Sequence, residues 1–181
     1  METGSITQWF DSLTIKIQTT AAAAAQDAVF AATNETLAAI KARIFDGGTT
    51  TEGGSIGTYS TDRIYVAREV FFFKKPSGGT LTKGGNYRFD GGWSEARNSV
   101  GRQSNNVDLT FSGDLSLSVQ TVKESDNRLK IGITDKENAA KAKGNEAHFG
   151  KVIFDASEKE KQAHKEAIKD YFARSINSEI Q

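Results

Sequence analysis

The stretch Leu115-Ser116-Leu117-Ser118-Val119-Gln120 decides the predicted fold, because apolar and polar residues alternate along it. Successive side chains of a β-strand point to opposite faces, so this period of two predicts a strand with one face on the core. Turn-forming residues follow at Glu124-Ser125-Asp126-Asn127, and a second alternating run comes after them. The residues expected in the core of this antiparallel hairpin are Leu115, Leu117, Val119, Leu129, Ile131 and Ile133, with their serine neighbours facing solvent.

A further strand is expected just before Gly113, at Val107, Leu109 and Phe111. We therefore predict antiparallel strands over 107–133, in a strand-bearing part of the chain that extends from 107 to 154.

The N-terminal part, residues 1–46, is predicted to be helical. Its apolar residues recur at steps of three and four, as an amphipathic helix requires. The stripe consists of Ile6, Trp9, Phe10, Leu13, Ile17, Val29, Leu37, Ile40 and Ile44, with Thr33 at one of its positions. The pattern allows one long helix or two segments with a break near Thr19-Thr20. Asp46-Gly47-Gly48 ends it, since glycine readily takes the left-handed conformation of a helix cap.

A C-terminal helix is predicted over 157–178. Ser157 and Glu160 have the spacing of a capping box, in which a hydroxyl and a carboxylate each accept from an unpaired backbone amide. We expect Ser157→Ala to cost about 1 kcal/mol. The apolar stripe of this helix is Ala163, Ala167, Ile168, Tyr171, Phe172 and Ile176. The fold class is therefore α+β, a twisted antiparallel sheet packed by a long N-terminal helix and a C-terminal helix.

The part between, residues 47–106, is a long glycine-rich loop region with short strands. Its aromatic content argues against disorder, since disordered segments are poor in such residues. We expect these loops to bury themselves against a neighbouring subunit, with Phe71, Phe72, Tyr87 and Trp93 as interface anchors. The alternative is that the aromatic residues cover their own sheet, above all Phe71 to Phe73. No repeat or boundary divides residues 1–181, which predicts a single domain.

The composition of the chain excludes several classes of protein. Lysine and arginine number 23, and so do aspartate and glutamate, so the formal net charge is zero. A free nucleic-acid binder normally carries a basic excess, because phosphate neutralisation supplies much of its affinity. The absence of cysteine excludes disulfides and thiolate sites. The N-terminus lacks the pattern of a signal peptide, and no window has the ~20 apolar residues of a membrane span.

Motifs for catalysis, metals or cofactors are missing from the sequence. None of the glycine pairs ends in the Gly-Lys-Ser/Thr of a phosphate loop, and no serine lies in a Gly-x-Ser-x-Gly elbow. His148 and His164 have no acidic partner at ligand spacing, which favours one loop histidine and one exposed helix histidine over a metal site. We expect no catalytic residue, no metal and no cofactor.

Basic side chains allow a surface that faces DNA. They are Lys74, Lys75, Arg97, Arg102, Lys141, Lys143 and Lys151. A mixed, solvated surface is the favoured interpretation, because the overall charge is balanced.

Five motifs in order resemble a known family. They are Gly91–Gln103, Val107–Leu115 with Ser112-Gly113-Asp114-Leu115 at its end, the following hairpin, Asn145–Gly150, and Phe154-Asp155-Ala156-Ser157. The chain resembles the virion-morphogenesis proteins of long-tailed phages, called tail-completion, neck or head-to-tail joining proteins. Ile56–Thr61 is similar to a segment of relatives from phages and prophages of Bacteroidetes-like hosts. The resemblance covers about 44 to 176.

This resemblance implies a structural virion protein without enzymatic activity. It implies a ring of six or twelve copies at the head–tail junction, assembled in the bacterial host cytoplasm. Its partners would be copies of itself, portal or adaptor proteins and tail-tube proteins. Genome DNA would pass through the lumen without sequence-specific binding, and no membrane would be involved.

Two other classes stay open. Loops rich in Gly, Ser, Thr and Asn with aromatic residues suit a host- or glycan-binding tail module. A small enzyme built from scattered carboxylates would show a deep pocket with strongly shifted carboxyl pKa values.

Overall fold

The computed structural model describes residues 6–125 and 128–180, with side chains described over 22–124 and 128–178. The fold class is α+β, with antiparallel sheets, a long N-terminal helix and a long C-terminal helix, as predicted. Two compact units divide the chain. The first unit combines the chain up to Ala39 with Thr121–Ile131 and the chain from Glu158 onward, and the second unit combines Ile40–Gln120 with Gly132–Ser157.

The N-terminal helix α1 runs without a break from Ile6 to Lys41, so the one-helix alternative is correct. A single π-helical turn, Ala42–Asp46, follows it. Gly48 then takes the predicted left-handed conformation, with φ of 60°. A Cβ atom there would lie 2.5 Å from the backbone oxygen of Val107, so the position requires glycine for conformation and for space.

In the first unit, α1 buries a seam of small residues at four-residue steps, namely Ala24, Ala28 and Ala32. Such residues let a neighbouring element approach the helix closely. The C-terminal helix α5, Glu158–Ile180, meets α1 through polar contacts. Thr36 Oγ1 and His164 Nδ1 are 2.9 Å apart, and the Tyr171 hydroxyl donates to Glu35.

A β-hairpin contributes its 121–131 part to the first unit. It consists of strands β4, Val119–Ser125, and β5, Arg128–Ile133, which pair as a two-stranded sheet. The hairpin lies beside α1, where Thr121 Oγ1 is 3.4 Å from Asn34 Oδ1. The predicted hairpin is thus confirmed over 119–125 and 128–133, while the tip at Asp126 and Asn127 lies outside the described residues.

The predicted helix stripes are confirmed in part. Thr33, Ile40 and Ile44 are buried, and Val29 and Leu37 are half-buried. The side chains of Ile6, Trp9, Phe10, Leu13 and Ile17 lie outside the described residues. In α5 the residues Ala167, Ile168, Tyr171 and Ile176 are half-buried, whereas Ala163 and Phe172 are exposed. This helix begins at Glu158, directly after Ser157, so the serine stands where a capping residue belongs.

The second unit contains a sheet of three short antiparallel strands. Strands β1, Ile64–Ala67, and β2, Thr80–Leu81, flank β3, Asn86–Phe89, with Ile64 opposite Phe89. A 3₁₀ turn, Arg68–Phe71, follows β1, and helix α2, Gly92–Ser99, follows β3. The buried cluster of this unit consists of Val66, Phe71, Tyr87, Phe89, Ala96 and Val100. The glycine-rich region therefore forms short strands, as predicted, and also builds a core of its own.

The strand predicted at the quoted stretch is wrong over 115–118 and correct at Val119 and Gln120, which begin β4. Residues Asp114–Ser118 form a short helix, α3. Leu115, Ser118 and Val119 are buried, which is the i, i+3, i+4 spacing of a helix face, while Leu117 is 69% exposed. Ser118 Oγ also donates to the Leu115 carbonyl at 2.7 Å, so the serine predicted to face solvent closes a helical turn instead.

The strand expected at Val107, Leu109 and Phe111 is also wrong. Val107 and its neighbour Asp108 are both buried, which an alternating strand does not allow. Leu109 has φ of 55°, in the left-handed region, and this ends any extended run.

The remainder of the predicted strand part, up to 154, is wrong as well, because it holds helix α4, Lys136–Phe149. Asp135 caps this helix by accepting from the Asn138 backbone amide at 2.8 Å, and Gly150 ends it with a left-handed conformation. Leu129, Ile131 and Ile133 in β5 are half-buried rather than buried, because the two-stranded sheet is narrow.

Candidate functional site

The four interface candidates fall into two classes. Phe71 and Tyr87 are buried in the cluster of the second unit, and their rings are 5.4 Å apart. They cover their own sheet, as the alternative interpretation has it. Phe72 is 73% exposed and Trp93 is 37% exposed. Phe72 and Trp93 are therefore the candidates that can reach another molecule.

A row of four aromatic rings connects the two exposed candidates. Phe72 contacts Phe73, Phe73 contacts Phe111, and Phe111 contacts Trp93, with centroid separations of 5.6, 5.5 and 5.5 Å. Each contact is edge-to-face, the arrangement that the ring quadrupoles favour. The row ties Phe111, from the loop before α3, to the segment that follows the 3₁₀ turn and to α2.

The position of Trp93 depends on the glycine before it. Gly92 has φ of 64°, and a Cβ atom there would lie 2.3 Å from the backbone oxygen of Ser60. The Ser94 amide donates to the same oxygen at 3.2 Å. The start of α2 is thus held against the 58–62 loop, which fixes the direction in which the Trp93 side chain leaves the helix.

Trp93 lines a groove of about 650 Å³ in the second unit. The floor is apolar and includes Val70, Leu109, Phe111, Leu115 and Phe149. Concave, largely apolar sites with a few polar groups are the usual form of a binding site. We call this site the Trp93 groove.

One wall of the Trp93 groove is a face of α4. Its residues are Asn138, Lys141, Asn145 and His148, which recur at steps of three and four and so lie on one side of the helix. Asn138 Oδ1 accepts from Lys141 Nζ at 3.3 Å, which holds the ammonium group near the wall. Among the described residues that line the groove there is no aspartate or glutamate. The groove therefore has a polar wall with one lysine ammonium group over an apolar floor.

A buried ion pair underlies the groove. Arg97 is 1% exposed, and its Nη2 donates to both carboxylate oxygens of Asp108 at 2.8 Å. The Arg97 guanidinium also lies over the Tyr59 ring, 4.4 Å from the centroid. Asp108 further accepts from the Tyr59 hydroxyl at 2.9 Å, from Gln103 Nε2 and from the Thr110 amide at 3.0 Å. A buried charge pair persists in a protein when its remaining hydrogen-bonding groups are satisfied in this way.

The pKa values within this network follow from its geometry. Burial is the largest influence on the Asp108 pKa and raises it. The hydrogen bonds from Thr110 and Gln103 and the charge of Arg97 together outweigh burial and hold that pKa below its usual value. For Tyr59, burial raises the pKa to about 12. Both groups keep their ordinary charge at neutral pH, so the network serves as a rigid support for the groove.

The basic residues considered for a DNA-facing surface differ in their exposure and in their bonding partners. Arg97 is buried and paired with Asp108, so it cannot face DNA. Lys151 Nζ donates to the carbonyls of Ser55 and Ile56 at 2.7 and 3.0 Å, which makes it a brace for the 55–57 loop. Lys74, Lys75, Lys141 and Lys143 are exposed and Arg102 is half-buried.

The histidines differ from the prediction in two respects, since His148 is not in a loop and His164 is not exposed. His148 lies in helix α4 rather than in a loop, and it is exposed. His164 lies in α5 and is half-buried beside Thr36. Within the described residues no group of three or more His, Cys, Asp or Glu side chains has the arrangement of a metal site.

The Arg97–Asp108 pair and the α4 wall are features that sequence reasoning missed. Arg97 and Asp108 have no spacing that indicates a pair, because a loop of irregular structure separates them. The α4 helix did carry a signal, since Asp135 stands at a capping position and Gly150 at a terminating position around an alanine-containing stretch. The sequence therefore indicates Trp93 as a residue of the site, whereas the wall formed by α4 is known only from the fold.

Comparison of the chain with protein-family models, curated proteins and solved structures gives no match. In the described part of the chain, no helix is both long and apolar enough to cross a membrane.

Proposed function

We propose that the chain is a structural virion protein, a neck or tail-completion subunit that forms a ring and joins the portal–adaptor complex of a capsid to a tail. It contacts copies of itself, portal or adaptor proteins and tail-tube proteins. Genome DNA passes through the lumen of the ring without sequence-specific binding. The ring assembles in the bacterial host cytoplasm, and no catalytic step is required of the subunit.

The observation that carries the proposal is a concentration of exposed apolar side chains. Among the ten large hydrophobic residues exposed in the described chain, five lie between Tyr65 and Trp93. They are Tyr65, Val70, Phe72, Leu81 and Trp93. Such a concentration in one segment favours a contact site there, because a soluble monomer rarely leaves large apolar patches in water. A head-to-tail contact that closes by rotation would bury such a surface in every copy.

Particle assembly in vitro tests the proposal. An extract from cells infected with a phage that lacks only this chain should contain separate heads and tails. Purified wild-type chain should join them into infectious particles. The Phe72→Asp variant should fold but fail to join them, whereas Leu117→Asp, which changes a similarly exposed leucine elsewhere in the second unit, should succeed. Complete particles formed without the chain would contradict the proposal.

A host- or glycan-binding tail module is the second candidate, and the Trp93 groove is the observation that favours it. The exposed tryptophan ring offers a surface on which a sugar can stack. The polar side chains beside it, which can hydrogen-bond to hydroxyl groups, are those of Asn138, Asn145 and Lys141. A glycan array probed with the wild-type chain separates the candidates. Saturable glycan binding that Trp93→Ala abolishes would favour this module, and a ring subunit should bind none.

A further inference from the structure

We propose that an aromatic and basic patch of the second unit binds single-stranded DNA without regard to its sequence. The patch, which we call the Phe72 patch, consists of Phe72, Phe73, Arg68, Lys74, Lys75 and Arg102. Such binding goes beyond the proposed ring. Only the choice of DNA over RNA rests on the proposed function, in which genome DNA passes the subunit.

Two aromatic rings and two basic side chains of the Phe72 patch lie beside one another. The Phe72 and Phe73 rings meet edge to face, with centroids 5.6 Å apart. The Arg102 guanidinium lies over the Phe73 ring, 5.9 Å from its centroid. Lys74 Nζ lies 3.2 Å from the position that a Cβ atom on Gly101, the neighbour of Arg102, would occupy. Both cations therefore share one surface with the rings.

A cleft beside Phe72 holds the other two cations of the patch. Arg68 and Lys75 line this cleft together with Phe72, and its volume is about 560 Å³. Sites of this size commonly hold a small ligand. Among the described residues that line the cleft, Glu69 is the one carboxylate. One base can enter beside Phe72 while the cations hold the adjoining phosphates.

Backbone contacts hold the segment that carries the Phe72 patch. The amide and the hydroxyl of Ser77 both donate to the Ser99 carbonyl, at 2.9 and 2.8 Å, which ties the segment to the end of α2. The Lys74 amide donates to the Phe71 carbonyl at 3.2 Å, and Pro76 is buried. A surface presented on a fixed backbone loses less conformational freedom when a ligand binds.

The charges of the Phe72 patch differ from most others in the second unit, because they have no partner. Four of the six arginines in this unit are held by carboxylates or backbone carbonyls, namely Arg43, Arg63, Arg88 and Arg97. Within the described residues, the side chains of Arg68, Lys74, Lys75 and Arg102 make no ion pair or hydrogen bond. In a chain of zero net charge, such a local excess favours a polyanion.

The exposed ring of Phe72 favours a single strand over a duplex. Phe72 is 73% exposed, so its face is open to an unpaired base, whereas the bases of a duplex are covered by their neighbours. Proteins that bind single strands without sequence preference combine basic residues along the backbone with aromatic rings beneath the bases. The other exposed apolar residues of this segment remain available for contacts between copies. They are Tyr65, Val70, Leu81 and Trp93.

The salt dependence of binding tests the basic residues. Fluorescence anisotropy of a labelled oligo(dT) should give a slope of about −2.8 for log affinity against log salt, since four phosphates are neutralised. The double variant Lys74→Gln with Lys75→Gln should reduce the slope by about 1.4. Lys136→Gln with Lys143→Gln removes two exposed lysine charges from α4 and should leave the slope unchanged. An equal reduction in this control would overturn the proposal.

A second series tests the aromatic ring. Phe72→Ala should weaken oligo(dT) binding at least about fivefold and leave the weaker binding of a duplex unchanged. Leu117→Ala, a change at a similarly exposed leucine, should alter neither. Equal weakening of duplex binding by Phe72→Ala would contradict the stacking role. Tighter binding of polyglutamate would assign the patch to an acidic protein, and tighter binding of oligo(U) would assign it to RNA; either result overturns the proposal.

The outcomes separate the DNA contact from the proposed ring. If the wild-type chain forms rings but does not bind oligo(dT) at low salt, the DNA contact is wrong and the ring stands. If the chain binds oligo(dT) but stays monomeric at all concentrations, the ring is wrong and the DNA contact stands. Circular dichroism of each variant shows whether a loss of binding arises from unfolding.

Discussion

Removal of the Asp108 carboxylate is the most severe test of the buried Arg97–Asp108 pair that supports the Trp93 groove. In Asp108→Ala, the Arg97 guanidinium would remain in a site where it is 1% exposed, without the two 2.8 Å acceptor contacts. Breaking a buried pair in this way costs about 3–5 kcal/mol, because one charge is left uncompensated. Tyr59 and Gln103 also lose a shared partner. We expect the free energy of unfolding to fall by an amount in that range.

Urea unfolding followed by circular dichroism measures this cost, with Asp108→Ala, Arg97→Met and the double variant compared as a cycle. The double variant should lose less stability than the sum of the two single changes, since it leaves no unpaired charge. A loss below about 1 kcal/mol for Asp108→Ala would refute the reasoning, because that is the range of an exposed ion pair.

Acidification should have a related effect. The Asp108 pKa is lower in the folded chain than its ordinary value, so the stabilising contribution is complete above about pH 4 and is lost as the pH falls further. Asp108→Asn should remove this part of the acid dependence.

Three further predictions concern single positions. Leu117→Ala should change stability by less than about 0.5 kcal/mol, whereas Leu115→Ala should cost about 2–5 kcal/mol, as urea unfolding will show. Gly48→Ala should lower the melting temperature clearly, since the new Cβ meets a backbone oxygen at 2.5 Å; an unchanged melting temperature would contradict this close approach. The Tyr59 phenol should ionise near pH 12 in the folded chain, so its stabilising contribution persists below pH 10.0 and declines above it. The difference in near-ultraviolet absorbance between wild type and Tyr59→Phe measures that ionisation.

The long elements could be predicted because their signal extends over many turns. The stripe recurs at helical steps from Thr33 to Ile40 in α1 and continues to Ile44 in the turn after it, and a single irregular residue does not obscure such a period. The hairpin of β4 and β5 was predictable for a similar reason, since alternation on both sides of a turn defines it.

Short elements failed because two periods fit the same few residues. Over Leu115–Val119, a period of two and a single helical turn both place an apolar residue at each end. The burial of Ser118 in the folded chain shows that the helical turn is the correct alternative. Because serine is polar, the hydrophobic pattern of the sequence gives no sign that Ser118 is buried. Arg97 posed a different difficulty, because its partner, Asp108, is set by the fold and not by sequence spacing.

The exposed aromatic residues of the site could be predicted from the sequence, whereas the wall formed by α4 could not. Trp93 and Phe72 stood out as aromatic residues in glycine-hinged loops, and both are exposed. The wall of the Trp93 groove comes from α4, in a stretch where the sequence pattern predicts strands. Without the helix, Lys141 and His148 had no common face, so the polar wall could not be inferred.

The mass of the wild-type assembly tests the central proposal most directly. Native mass spectrometry of the purified chain should show one closed species at six or twelve times the 19.6 kDa subunit mass. Electron microscopy of the same sample should show rings with an open channel. A single species at 19.6 kDa across all concentrations, up to those reached during particle assembly, would contradict the proposal.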